Sequence, residues 1–370
     1  MNVAGMHITE LYTDCIVGEI DDPDRARVGL YVPKTSNRKY HRIDIGQSTP
    51  EQMIIEAVQW IIKESDDLRY LVACFCGPFL SLDNTSAKDS KDYRNSGDYG
   101  RLGLLRRYDK HWSGLPIYQL LKDHLNQLEP RPIVRIYTDV DAGAYGEFWK
   151  RSTLTNASYY NKRANLVFLS LGRSINGGVA VKGSIFRGRH HPLMGSLRPA
   201  RFFAYTKSGG VLRDEYRGCC PLHQDCLEGL IGIDALEERT GMQFSDIPNS
   251  DPVWKYVAYY AAELCISITS SWSPSRIILS GRLIKEQTDP GFSDRLLRQI
   301  RGYFYSHVNP NGDDVFSPDY AAIRRRDSFL SLPQRVVKKD GEERSGLPCI
   351  HGALRLAAKL SYEYSRHASK

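Results

Sequence analysis

At 370 residues the chain is too long for one ordinary hydrophobic core, so two domains or one two-lobed unit is expected. Its 41% hydrophobic and 25% charged residues are those of a globular soluble chain and exclude little else. The formal charge of +7 comes from Lys and Arg scattered among Asp and Glu, with only short dense stretches at 187–191 and 324–326, so it reads as a solvated surface and no nucleic-acid partner is expected.

From the N-terminus, Met1 to Glu10 lacks a basic region followed by an apolar stretch, and no window approaches the run of about 18 apolar residues that spans a bilayer. The expectation is a cytoplasmic protein without a membrane partner. Asp14 to Glu19 and Val28 to Val32 read as strands. Ser48-Thr-Pro-Glu51 opens a helix, with Pro50 in its first turn and Met53, Ile54, Ala57, Ile61 and Ile62 at helical spacing. Arg69 to Phe75 is a buried strand that stops at Cys76-Gly77-Pro78, and about Asp83 to Asp98 is a long polar loop.

Leu115 to Leu128 is amphipathic and helical. Ile133 to Thr138 and Asn165 to Leu171 read as strands, with a helix at Ala142 to Lys150 between them. A long helix follows at Val253 to Ser270, ended by Pro274; Arg276 to Leu279 is another strand, and Cys349 to Ser365 is a helix. Strands and helices alternate without a short-period repeat, so the class is α/β. The eight cysteines do not form a secreted framework; reduced thiols are expected, with one candidate metal site where Cys219, Cys220 and Cys226 bunch.

Four segments carry a resemblance to a known family. They are Tyr137-Thr-Asp-Val-Asp-Ala-Gly-Ala-Tyr-Gly-Glu147, Cys220-Pro-Leu-His-Gln-Asp-Cys-Leu-Glu-Gly229, Asp251-Pro-Val-Trp-Lys-Tyr-Val-Ala-Tyr-Tyr260 and Ser273-Pro-Ser-Arg-Ile-Ile-Leu-Ser-Gly281. They resemble, in family order, the fructokinase-like branch of the ROK sugar kinases, with weaker echoes at Phe75 to Pro78, Tyr99 to Leu115 and Gly346 to Ala357. The resemblance implies an actin-like ATPase (ribonuclease H-like) fold of two α/β lobes around a cleft. The smaller lobe is expected over 1–118, joined by the C-terminal helix 350–370, and the larger over 119–349. A homodimer is a further expectation from the family.

The resemblance also implies Mg-ATP-dependent phosphoryl transfer to a hexose hydroxyl, with a nucleotide and a sugar-like ligand as partners. Asp139 matches the family's catalytic base, since the attacking alcohol must lose its proton as the phosphoryl group moves. The same residue reads equally as a helix cap. Asp141 stands where the family has Asn, and a second carboxylate would raise the pKa of the first. Gly77, Pro78, Asp139 and His191 fall at the expected sugar site. Gly172, Arg173, Ser174, Gly177 and Gly178 replace a glycine-rich phosphate loop, and Gly281, followed by Arg282 in place of glycine, lies at the adenosine position. Arg173 offers a compensating charge to an anion; without the resemblance the loop reads as a turn.

Other positions depart from the pattern. His7-Ile-Thr-Glu-Leu11 stands where the family has its first phosphate loop, without the acidic residue, the two glycines or the threonine. Leu193 and Ser196 replace the glutamate and histidine of H-P-E-x-G-H. Cys220, His223 and Cys226 retain C-x-x-H-x-x-C spacing that suits three ligands of zinc, with Cys219, His190, His191 or water as the fourth; the alternative is buried thiols and a surface histidine. The expectation is a divergent kinase with altered phosphate and sugar binding, or an inactive pseudokinase kept for ligand binding, regulation or partnership. The DNA-binding repressor branch is disfavoured, because strand-like residues begin almost at Met1.

Overall fold

β1 (Asn2–Ile8) and β2 (Tyr12–Glu19) form an antiparallel hairpin in the computed structural model, which describes residues 1–20, 39–76, 111–152, 164–186, 194–205, 208–284, 289–308, 329–333, 335–337, 343–345 and 347–368. β3 (Lys39–Asp44) extends the hairpin beside β2. On its other side β4 (Leu68–Phe75) runs parallel to β1, and β5 (Ile133–Thr138) parallel to β4, giving the order β3-β2-β1-β4-β5. Parallel neighbours need crossovers, and helices supply them. Between β3 and β4 lies α1 (Pro50–Glu64), which buries Met53, Ile54, Ala57, Val58 and Ile61. Thr49 and Gln52 close a reciprocal capping box at its start, a device worth about 1 kcal/mol. α2 (Ile117–Leu125) packs on α1.

α3 (Asp139–Ser152) follows β5 without a loop and packs along the C-terminal helix α8 (Pro348–Ala368). The contact is backbone to backbone: a methyl group at Gly352 would lie 1.8 Å from the Ala142 carbonyl oxygen, and one at Gly146 would lie 2.6 Å from that of Pro348. No bulkier pair of residues fits this crossing.

The second half adds α4 (Leu227–Ile231), α5 (Ile233–Thr240), α6 (Val253–Trp272) and α7 (Pro290–Val308). Its sheet has the order β12-β11-β6-β7-β8, from β6 (Asn165–Leu171), β7 (Ile175–Val181), β8 (Ser184–Ile185), β11 (Arg276–Ser280) and β12 (Leu330–Ser331). β11 is parallel to both β6 and β12, and all seven residues of β6 are buried or half-buried. Two short ribbons, β9 (Phe203–Tyr205) with β10 (Val211–Arg213) and β13 (Arg335–Val337) with β14 (Glu343–Ser345), stand apart. A buried carboxylate, Asp214, is held by Arg239 at 2.7 and 3.0 Å and by the Tyr260 hydroxyl at 2.7 Å.

The chain divides into two compact units: Met1–Ala164 with Gly178–His191 and Leu347–Lys370, and Asn165–Gly177 with Pro192–Gly346. This division differs from a boundary after residue 118. Residues 119–164 group with the first unit because β5 pairs with β4 and α3 packs on α8. Among the described residues no helix is long and apolar enough to cross a membrane.

Candidate functional site

Asp139 is the first residue of α3, at the end of a buried parallel strand. Such a junction fixes a side chain on two rigid elements at once. Its carboxylate is not the helix cap. That role falls to Thr138, whose Oγ1 accepts the Asp141 N–H at 3.1 Å. Asp139 Oδ1 accepts the N–H of Val140 at 2.8 Å. With only 8% exposure the carboxylate is starved of water, and burial pushes its pKa up to about 6; the Val140 N–H opposes the shift and the neighbouring Asp141 adds to it. Cys74 and Cys349 lie in the same electrostatic neighbourhood. Burial first, then the nearby groups including Asp139 and Asp14, hold both thiols well above their ordinary range, so they are neutral and unreactive. The Cys74 thiol donates to the Cys349 carbonyl at 3.8 Å.

Gly178 explains how closely this junction is framed. A methyl group there would lie 2.2 Å from the Val140 carbonyl oxygen and 2.8 Å from the Asp141 nitrogen. β7 therefore passes against the first turn of α3, and glycine is required for packing at that point.

The hairpin turn between β1 and β2 belongs to the same unit. Thr9 Oγ1 donates to the Tyr12 carbonyl at 2.8 Å and accepts the N–H groups of Tyr12 at 3.0 Å and Leu11 at 3.3 Å. Two backbone donors of the turn expected to face an anion are thus satisfied from within, and the residue before them is the acidic Glu10. His7 sits opposite Asp14 on β2 and beside Cys74 on β4. Burial lowers its pKa to about 4, against the pull of Asp14 and with some help from Arg42, so the imidazole is neutral. Asp14 accepts two hydrogen bonds from Arg42, at 2.7 and 2.9 Å, and one from the Tyr40 hydroxyl at 2.6 Å. The Arg42 guanidinium lies over the Tyr12 ring, 3.8 Å from its centre.

In the second unit, the turn between β6 and β7 is also filled from within. Glu228 Oε1 accepts the Ser174 hydroxyl and the Ile175 N–H, both at 2.9 Å. Arg173 pairs with Asp234 in the first turn of α5. The compensating cation expected at Arg173 is therefore engaged by a carboxylate. Gly172 has room for a side chain, its nearest neighbour for a methyl group being the Ser174 oxygen at 3.6 Å; at Gly177 the same methyl group would meet Met194 at 2.1 Å. Gly281 ends β11 with φ of 101°, against the backbone of Leu171.

Cys220, His223 and Cys226 bring their ligand atoms within 4.8 Å of one another. Cys220 and Gln224 exchange backbone hydrogen bonds at 3.2 and 2.8 Å, and the Cys219 N–H reaches the Gly229 carbonyl at 3.0 Å. Glycine at 229 is required, since a methyl group would lie 1.9 Å from the Gln224 oxygen. Two soft sulfurs and one imidazole nitrogen on a folded knuckle fit zinc.

Of the expected sugar-site residues, Gly77, Pro78 and His191 lie outside the described residues, as do His190 and Leu193. Ser196 ends a 3-10 turn, Met194–Ser196, that packs on α4. Sequence reasoning missed Thr9, Thr138, Glu228 and the Asp14–Arg42 pair. Thr138 alone left a readable sign, as a threonine three residues before Asp141.

A 3-2-1-4-5 sheet with three parallel strands, a carboxylate at the β5–α3 junction and a C-terminal helix returning to it define an actin-like, ribonuclease H-like fold. The sequence pattern of the ROK family matches residues 25–311, and the chain belongs to that family. It is similar to a fructokinase of Lactococcus lactis subsp. cremoris, 34% identical over 237 residues covering 64% of this chain and 67% of the relative. A fructokinase of Pediococcus pentosaceus is 30% identical over 184 residues, 49% of this chain and 58% of that relative. Among solved structures it resembles a ROK hexokinase from Thermus thermophilus, with a TM-score of 0.56 and 17% identity over the whole of both chains. A ROK family glucokinase from Streptomyces griseus, solved with glucose and AMPPNP, gives 0.55 and 15% identity, covering 96% of this chain and 99% of that one.

Proposed function

We propose that the chain is a divergent sugar-kinase homologue whose ancestral activity is transfer of a phosphoryl group from Mg-ATP to a fructose-like hexose hydroxyl, with Asp139 as the base. The observation that supports this is the carboxylate itself. It is fixed at a strand–helix junction, freed from capping by Thr138, and brought by burial to a pKa of about 6, where it is ionised at neutral pH yet still basic enough to take a proton. The named relatives are fructokinases, which supports a fructose-like substrate class. Mg-ATP would supply the phosphoryl group, with Gly172, Ser174, Gly177, Gly178 and Gly281 as the nucleotide-side residues of this reading. Zn2+ held by Cys220, His223 and Cys226 would pin the loop before α4.

A second reading has its own support. The Thr9 hydroxyl occupies the N–H groups of Leu11 and Tyr12, and Glu228 occupies that of Ile175 in the β6–β7 turn, so both loops present fewer donors to phosphate. Carboxylates near both turns, Glu10 and Glu228, oppose an anion by Coulomb repulsion of order several kcal/mol in a partly dry site. On this reading the protein is a pseudokinase that binds a sugar-like ligand or a partner. The test is Mg-ATP calorimetry followed by phosphorylation of a hexose panel, wild type beside Asp139→Asn. Turnover lost in the variant supports the kinase; no ATP binding and no turnover in the wild type establish the pseudokinase.

A further inference from the structure

The knuckle at Cys220, His223 and Cys226 and the turn between β6 and β7 are joined by one short piece of chain. Cys226 is the N-cap residue of α4, its carbonyl accepting the Leu230 N–H at 2.9 Å, and Glu228 follows in the first turn. The Glu228 carboxylate reaches back 53 positions to the Ile175 N–H and 54 to the Ser174 hydroxyl, both at 2.9 Å. The α4–α5 junction closes on the same turn. There the Ile233 N–H donates to the Gly172 carbonyl at 3.2 Å, and a methyl group at Gly232 would lie 2.9 Å from the Arg173 carbonyl oxygen. A methyl group at Gly195 would lie 2.4 Å from the Ile175 carbonyl oxygen and 2.7 Å from Glu228 Cγ, so the 3-10 turn Met194–Ser196 packs tightly on both partners. On the knuckle side, a methyl group at Gly229 would lie 2.8 Å from Cys220 Cβ, so α4 is packed directly on a metal-ligand candidate.

We propose that Glu228 is a positioning residue that ties the β6–β7 turn to the knuckle, so that metal occupancy at Cys220, His223 and Cys226 sets how firmly the turn is held. The inference rests on the zinc reading given above and is independent of whether the chain turns over a sugar. Its physical basis is the shortness of α4. A helix of five residues does not stand by its own hydrogen bonds, so the place of Glu228 depends on what anchors the two ends. One end is Cys226, a metal ligand on that reading; the other packs at Gly232 against the turn itself. Joining Cys226 to Cys220 and His223 through a shared ion closes the 220–226 loop and restricts the chain that enters α4. Glu228 passes that restriction on, because its carboxylate holds a backbone donor and a hydroxyl of the turn at once. On the kinase reading this is the phosphate-side turn, and the knuckle then governs it through Glu228 without touching a nucleotide.

The test is hydrogen exchange of the full chain, loaded with zinc and after stripping with EDTA, read at the Ile175 amide. Exchange there is expected to quicken by about tenfold or more when zinc is removed, the scale of one lost hydrogen bond to a charged group, while the amides of the β6–β11 ladder stay protected. Glu228→Ala is expected to exchange rapidly at Ile175 in both states and so to lose the response. Glu228→Gln, which keeps an acceptor oxygen, is expected to retain it. Equal exchange at Ile175 with and without zinc overturns the proposal. So does a zinc response that survives in Glu228→Ala, or one that spreads equally to the β6–β11 ladder, which would make the metal a prop for the whole unit. The wild-type comparison decides by itself if Glu228→Ala does not fold. A wild-type chain that takes up no zinc overturns the zinc reading together with the proposal, whereas uptake without a response at Ile175 overturns the proposal alone.

Discussion

Thr9 and Tyr12 are joined three times: backbone N–H of Thr9 to the Tyr12 carbonyl at 2.9 Å, Thr9 hydroxyl to the same carbonyl at 2.8 Å, and Tyr12 N–H back to the hydroxyl at 3.0 Å. Removing the hydroxyl by Thr9→Ala breaks the last two, at a cost of about 1 kcal/mol in stability. It also frees the N–H groups of Leu11 and Tyr12. Mg-ATP binding, measured by calorimetry, is expected to tighten several-fold, and further when Glu10→Gln is combined with it. Unchanged affinity in both variants would mean that this turn does not limit nucleotide binding.

Asp139 and His7 give stability opposite pH dependences. The raised pKa of Asp139 contributes stability that is complete below its ordinary value of 3.8 and lost as pH rises through about 6. The lowered pKa of His7 contributes stability that is complete above 6.5 and lost as pH falls through about 4. Asp139→Asn should therefore raise the unfolding free energy at pH 7.5 by on the order of 2–3 kcal/mol and leave it unchanged at pH 3.5. His7→Asn should flatten the acid limb between pH 6.5 and 4. Denaturant melts at several pH values check both; an Asp139→Asn protein no more stable than wild type at pH 7.5 would show that the carboxylate is not desolvated.

The same burial predicts a rate profile. If the protein turns over a sugar, kcat/KM should rise with pH through about 6, since the base must be ionised to accept the proton. A limb well below that value would place the base elsewhere.

Two glycines of the expected phosphate loop should part company on substitution. Gly178→Ala drives a methyl group into the first turn of α3 and is expected to cost about 1–3 kcal/mol or displace Asp139. Gly172→Ala meets open space and should change thermal stability little. Equal effects at the two positions would count against the packing role assigned to Gly178.

Much of the fold was readable because local rules and tertiary packing agree. The strands expected at Ile133 to Thr138 and Asn165 to Leu171 have those bounds, and Pro50 opens α1 as its first-turn position implies. The helix expected at Val253 runs on to Trp272, one residue before a left-handed cap at Ser273 and then Pro274. The helix expected from Ala142 begins three residues earlier, because Thr138 rather than Asp139 supplies the cap. The strand expected at Val28 to Val32 and the loop at Asp83 to Asp98 lie outside the described residues. The site was less legible. Asp14 meets Arg42 only once β2 and β3 are in register, and Glu228 reaches Ile175 across 53 positions of sequence. Neither pairing leaves a local periodicity. Gly178, read as part of a phosphate loop, also packs against the first turn of α3, which needs the neighbour's coordinates to see.

The glycine crossing of α3 and α8 has a consequence for biosynthesis. α8 lies directly on the helix that carries Asp139, whereas residues 165–177 and 192–346 between them belong to the other unit. The first sheet can pair its strands early, but the bare backbone at Gly146 and Ala142 waits for Pro348 and Gly352. Until α8 is made, the backbone of Ala142 and Gly146, on the helix that begins at Asp139, stays without the partner it packs against.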